Sequence, residues 1–227
     1  GSEILEGPGG YSDIAAGLFD DLGIEPKRLG DAYDHDFYKK NKLTAGLYFD
    51  QQTFGVDRTL AYPLVNSNYY KGWIAAAKST LSHSDAVKEM PISDNAKREM
   101  ILLLTTSKNA VPAHSFDTES GYLNSISYRE FISVNLGIKE PEVFAIFENL
   151  LTDWCVGIEA VPALEAFYWG LPGINATGLG DGSVDASAGF GSSPEMGVTY
   201  HFPDGNTSIA RMLVRSLICL LYTSPSP

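Results

Sequence analysis

The stretch Tyr200-His201-Phe202-Pro203-Asp204-Gly205-Asn206-Thr207-Ser208-Ile209-Ala210-Arg211 constrains this chain most, because it reads as a strand that breaks at a Pro-Asp-Gly turn and continues as a helix. Asn206 or Thr207 stands where a helix cap is needed, and Ile209, Leu213 and Leu217 recur on one helical face. Gly205 allows the backbone to approach a bound group closely. The N–H groups of a helix start favour phosphate or another electron-rich group. The same pattern also fits a capped turn that binds nothing, so the junction is a candidate site and not yet a site.

At 227 residues with 44% apolar and 11% aromatic side chains, the chain has the composition to bury one large core or two small ones. Its 28 acidic residues outweigh 16 basic ones, for a net charge of −12, and no Lys/Arg cluster stands out. Nucleic-acid binding is not expected on that ground, since phosphate contacts need concentrated positive charge. An acidic surface attracts a polycation such as a polyamine, and is equally ordinary for a protein that binds none. Cys155 and Cys219 have neither metal spacing nor the numbers for a disulfide framework. His35, His83, His114 and His201 share no ligand spacing such as H-E-x-x-H, so no metal site is expected. No G-x-S-x-G elbow supports hydrolysis by a Ser-His-Asp set. No apolar run approaches the roughly 18 residues of a membrane span.

Periodicity and capping signals outline a mostly helical α+β chain. A helix capped by Ser12 is expected to carry Ile14, Leu18 and Leu22 on its apolar face and to stop at Gly23. Leu43 to Phe49 reads as a strand, Asp50 to Gly55 as a turn, and Arg58 to Val65 as a second strand or extended run, for which Pro63 favours an edge. From Ser93, the positions Ala96, Met100, Leu103 and Leu104 predict a helix to about Thr106. Ser107 to Ser125 reads mostly as loop. Ser127 and Glu130 form a capping box with Ile126 and Phe131 at the staple positions, and Gly137 closes that helix. Pro141 opens another, with Val143, Phe147, Leu150 and Trp154 on one face, and a short helix follows from Pro162 to about Trp169. Gly170 to Gly197, rich in Gly, Ser and Ala, reads as a long surface loop. There are no internal repeats.

Four stretches carry a resemblance. They are His201 to Ile218, Tyr48 to Arg58 (Tyr-Phe-Asp-Gln-Gln-Thr-Phe-Gly-Val-Asp-Arg), Ile126 to Phe131, and Val156 to Ala166. In that pattern the chain resembles bacterial flavin-dependent oxidoreductases similar to spermidine dehydrogenase, within the FAD-dependent amine oxidase group. The resemblance implies FAD as cofactor, a small-molecule amine as substrate, a polyamine such as spermidine among them, and hydride transfer to the flavin. It also implies an organisation, because in that group the substrate domain interrupts the FAD/NAD(P)-binding domain in sequence. Residues 1–42 would leave the flavin domain, 43–197 would form a largely helical substrate domain, and 198–218 would return as strand, turn and helix. Residues 219–227 resemble a translated sequencing adaptor and are expected to lie outside the fold. The family's N-terminal Rossmann βαβ unit with G-x-G-x-x-G is not in the chain, and Gly7-Pro8-Gly9-Gly10 imitates its loop without the strands a fingerprint needs. The expectation is therefore an internal piece of a longer enzyme that by itself is inactive and holds FAD poorly.

By the same resemblance Gly1, Ser2, Pro203, Asp204, Gly205 and Asn206 are cofactor contacts. Glu159 and Glu165, flanking Pro162, have the charge to hold a cationic amine, with Trp154, Tyr168 and Trp169 as aromatic walls. Those residues fit equally well as core aromatics and solvated carboxylates. Catalytic residues are not identified. Spermidine dehydrogenases are also associated with haem, which needs an axial ligand such as His, and no histidine here is singled out for it. The resemblance leaves bacterial cytoplasm and periplasm both open, and oligomeric state with them. The competing reading is a non-catalytic α-helical module that binds a ligand or a protein through its acidic surface and aromatic grooves.

Overall fold

The computed structural model describes residues 5–6, 11–31, 34, 36–43, 46–62, 64, 81–112, 119–148, 150, 156–168, 170–179, 199–200 and 202–223. The chain divides into two compact units, Gly1–Phe37 with Gly191–Pro227 as the first and Tyr38–Phe190 as the second. Both are dominated by helix, and the strands among the described residues form two antiparallel two-stranded ribbons, an α+β composition.

In the first unit β1 (Leu5–Glu6) pairs with β4 (Thr199–Tyr200), with Leu5 opposite Tyr200. Helix α1 (Asp13–Asp21) starts where expected: Ser12 is its cap, and the Ala15 N–H donates to Ser12 Oγ at 3.3 Å. It ends at Gly23, whose φ of +66° is the left-handed conformation that glycine adopts without strain. Its buried side differs from the expected one. Ile14 is 86% exposed and Leu18 is also exposed, while Phe19 and Leu22 turn toward Ile24 and Phe202, the buried pair at the centre of this unit. Tyr11 meets the Phe19 ring edge-on at 5.4 Å, which helps choose that side. Helix α2 (Pro26–Asp31) adds Leu29 to the cluster, and a short α3 (Phe37–Lys40) marks the boundary with the second unit.

The second unit begins with a hairpin. Strands β2 (Leu47–Phe49) and β3 (Arg58–Leu60) pair Leu47 with Leu60 and Phe49 with Arg58, and are shorter than the sequence suggested. The expected turn between them is a helical turn, α4 (Gln51–Phe54), capped by Asp50 through the Thr53 N–H at 2.8 Å and closed by Gly55 at φ +74°. Helices α5 (His83–Glu89) and α6 (Asp94–Thr105) follow, capped by Ser82 and Ser93. Ala96, Met100 and Leu103 are buried along α6, as its periodicity required. The stretch read as loop contains α7 (Glu119–Ser125), held by the fully buried Leu123 and by the Tyr122 hydroxyl, which donates to Asn135 Oδ1 at 3.0 Å. Packing, not local propensity, makes this helix.

After Ser127 the chain forms one α-turn, α8 (Tyr128–Glu130), and then a π-helical turn over Phe131–Asn135 ended by Gly137 at φ +74°. Helix α9 (Pro141–Glu148) buries Val143, Phe144, Ile146 and Phe147, and α10 (Ala163–Tyr168) buries Ala163, Leu164, Ala166 and Phe167. Tyr128, Phe131, Phe147 and Phe167 meet edge to face, with ring centroids 5.4 to 5.9 Å apart in the three pairs they form. The supposed surface loop after Gly170 is in part core: Leu171, Ala176 and Thr177 are buried around a 3-10 turn, Ile174–Ala176. Two carboxylates tie α6 to α9 reciprocally. Glu99 accepts the N–H groups of Lys139 and Glu140, both at 2.8 Å, ahead of α9, and Glu142 in the first turn of α9 accepts the Ser93 N–H at 3.0 Å. Each meets the unsatisfied donors of the other's helix start.

Candidate functional site

The strand, turn and helix at 199–223 are all present: β4 ends at Tyr200 and α11 spans Thr207–Thr223, through the first residues of the segment expected to lie outside the fold. Leu220, Leu221 and Tyr222 continue the helix because nothing before Ser224-Pro225 opposes it. Between strand and helix, the Gly205 N–H donates to the Phe202 carbonyl at 2.9 Å, closing a four-residue turn with Pro203 and Asp204 in the middle. Gly205 has φ +83°, a left-handed conformation that glycine adopts without strain.

The turn is fastened differently from expectation. Asn206 immediately precedes the helix, but its Oδ1 is buried and accepts no hydrogen bond from any described group. The N–H groups that a cap would satisfy are already used, since Ser208 donates to the Gly205 carbonyl and Ile209 to the Asn206 carbonyl, both at 3.0 Å. Asn206 therefore occupies the cap position without capping. The fastening side chain is Asp204. It accepts from the Ser208 hydroxyl and, at 2.7 Å, from Arg211. The Ser208 hydrogen bond, aided by the Arg211 charge and opposed by partial desolvation, holds the Asp204 carboxyl below its usual range. Its carboxylate is thus engaged within the turn, a fastening role that the sequence reading did not give it. An Asp followed by Ser at the fourth and Arg at the seventh position is a helical-face spacing, and that was the signal available for this clamp.

What remains unsatisfied in the turn is one buried acceptor, Asn206 Oδ1, next to a helix start and a left-handed glycine. A buried amide oxygen without a donor is costly, and such a group calls for a partner. Pro203 is exposed. Gly1, Ser2, His35, His114, Trp154, Trp169 and His201 lie outside the described residues, as does the side chain of Tyr168.

The proposed amine site is not assembled by a described set of contacts. Glu159 is exposed in the turn before α10, with its carboxylate folded over Gly157: a Cβ there would lie 2.6 Å from Oε2. Glu165 is half-buried in the first turn of α10. His83 is a structural partner, its Nδ1 bonded to the buried Tyr62 hydroxyl and its ring edge-on to that of Tyr62. Burial pushes the Tyr62 and Tyr128 phenols up, and Tyr128 donates to the Pro172 carbonyl at 2.9 Å.

Two of the stretches that carried the resemblance dock onto each other. The Tyr128 N–H donates to Val161 O at 2.9 Å, Arg129 N–H to Ile158 O at 3.0 Å, and Ala163 N–H to Ile126 O at 2.9 Å. Ser127 caps α8 through the Glu130 N–H at 3.1 Å, while Glu130 makes no bond back among the described residues; the turn at 158–161 takes over the other first-turn donors. In a third stretch Asp57 accepts the Tyr48 hydroxyl at 2.7 Å and the Gln51 N–H at 3.0 Å, locking the hairpin. These residues have structural work that explains their pattern.

Among the described residues no group of three or more His, Cys, Asp or Glu side chains is placed to hold a metal ion, and no helix is long and apolar enough to cross a membrane. Compared with protein-family models and with curated proteins, the sequence finds no match.

Proposed function

We propose that this chain contributes to an FAD-dependent oxidoreductase of the amine oxidase type, acting on a small cationic amine. The observation that carries the reading is the turn Pro203 to Asn206, where a positive-φ glycine and a buried, unpartnered amide oxygen flank the start of a 17-residue helix. Gly205 and Asn206 are the residues that would hold the cofactor, the glycine by leaving space and the amide by accepting a donor. A bound flavin supplies a hydride acceptor; the chain's part is to bind it, orient it and exclude water. The connectivity is compatible, since a helical unit lies in sequence between the two halves of another.

The test is the visible absorption spectrum of the purified product of the gene that encodes this sequence. Flavin absorbance is expected, and haem, if present, is read separately in the same spectrum. Gly205→Val is expected to lower flavin occupancy sharply, since a β-branched residue opposes φ +83° and fills the space of the ligand. A product with no flavin, or a Gly205→Val variant with full flavin content, removes the reading and leaves the non-catalytic helical binding module.

A further inference from the structure

Helix α11 carries apolar side chains on both its inward and its outward side. Ser208 and Ser216 turn inward with Ile209 and Met212, whereas Leu213, Val214, Leu217 and Ile218 are exposed, Leu217 by 60%. At 3.6 residues per turn, those four form one continuous outward stripe. An exposed apolar stripe of this length marks a contact surface.

Charge says what covers it. Helix α11 carries Arg211 and Arg215 beside the stripe and no acidic residue, so two copies of α11 packed on each other would bring arginines together. Helix α1 of the same unit is the complement: it exposes Ile14 and Leu18, with Asp21 on the same side, and carries no basic residue. Anionic membrane is a poor fit for a chain of net charge −12. We propose that two copies of this chain form a two-fold dimer in which α11 of one protomer lies against α1 of its partner, with Arg215 opposite Asp21. The arrangement is self-complementary and buries both outward faces twice over.

Sedimentation velocity on the 227-residue chain tests this. The expected result is a dimer whose dissociation constant rises at least about tenfold in Leu217→Glu and in Arg215→Glu, with Arg215→Glu rescued by adding Asp21→Arg. All three positions are exposed, so far-UV circular dichroism should be unchanged and loss of the dimer is not loss of fold. A monomer at every accessible concentration, a dimer indifferent to Leu217→Glu, or a charge reversal that fails to rescue overturns the proposal. Co-sedimentation with phosphatidylserine vesicles that Leu217→Glu abolishes also overturns it and gives the stripe to a membrane surface.

Discussion

Phe147 and Leu217 are both aromatic or aliphatic residues on helices, yet one is wholly buried and the other is 60% exposed. The contrast holds across the two units. In the second, apolar periodicity and burial coincide: Met100 and Leu103 on α6, Phe131 after α8, Phe147 on α9 and Phe167 on α10 belong to one cluster. In the first, Ile24 and Phe202 are buried with a few partly covered neighbours, while α1 and α11 hold apolar side chains outward. Where a helix face is covered within its own unit, as on α6, burial follows the periodicity. A unit with more apolar positions than it can cover needs another surface, and its helix faces cannot be assigned from periodicity alone.

The sharpest way to break this comparison is truncation in each unit. Phe147→Ala removes a ring from a closed aromatic cluster and is expected to cost about 3–5 kcal/mol in denaturant unfolding. Leu213→Ser, on the outward stripe of α11, is expected to change stability by no more than about 0.5 kcal/mol and to reduce self-association. Equal losses in the two variants would mean that the first unit is packed as fully as the second. A smaller effect compares helix starts. Ser127→Ala should cost about 1 kcal/mol, because Ser127 Oγ accepts the Glu130 N–H. Asn206→Ala should cost nothing in the apo chain, since Asn206 Oδ1 has no bond to lose and removing an unsatisfied buried oxygen relieves desolvation. A loss at Asn206 equal to that at Ser127 would show that the amide is satisfied after all.

The smallest effect is on pH. The folded Asp204 carboxyl is held below its ordinary value, chiefly by the Ser208 hydroxyl, so its contribution is present above the ordinary carboxylate range and disappears as pH falls through the depressed value. Asp204 and Arg211 are both more than half exposed, so the contribution is small. The protection of α11 amides, taken relative to their intrinsic exchange rate at each pH, should fall in acid, and Asp204→Asn should make that protection less pH-dependent while leaving α9 unaffected. An unchanged acid profile in the variant would show that the clamp does not hold the helix start.

Much of the local structure was legible because its causes lie within four residues of its effects. Ser12, Ser93 and Ser127 cap the helices that follow them, and Gly55, Gly137 and Gly205 take the left-handed conformations their positions require. The strand, turn and helix around Gly205 belong to the same class, as does the burial of Ala96, Met100 and Leu103. The turn at 203–206 was placed by those local signals, but the side chain that fastens it was not. Whether Asn206 or Asp204 ties the turn depended on which N–H groups the backbone carbonyls had already taken, a matter of three-dimensional competition.

Other features were decided only by partners far along the chain. Helix α7 exists because Leu123 is buried and Tyr122 reaches Asn135; the segment after Gly170 is core because the Ala110 N–H donates to Ala176 O at 2.7 Å. Residues 126–131 and 156–166 meet through bonds from Tyr128 to Val161 and from Arg129 to Ile158, and no periodicity encodes such a pairing. The sequence by itself determined where the serine-capped helices start, since a cap acts over one turn. Only the tertiary structure decided which faces are covered, because covering a face takes atoms that arrive from elsewhere in the chain.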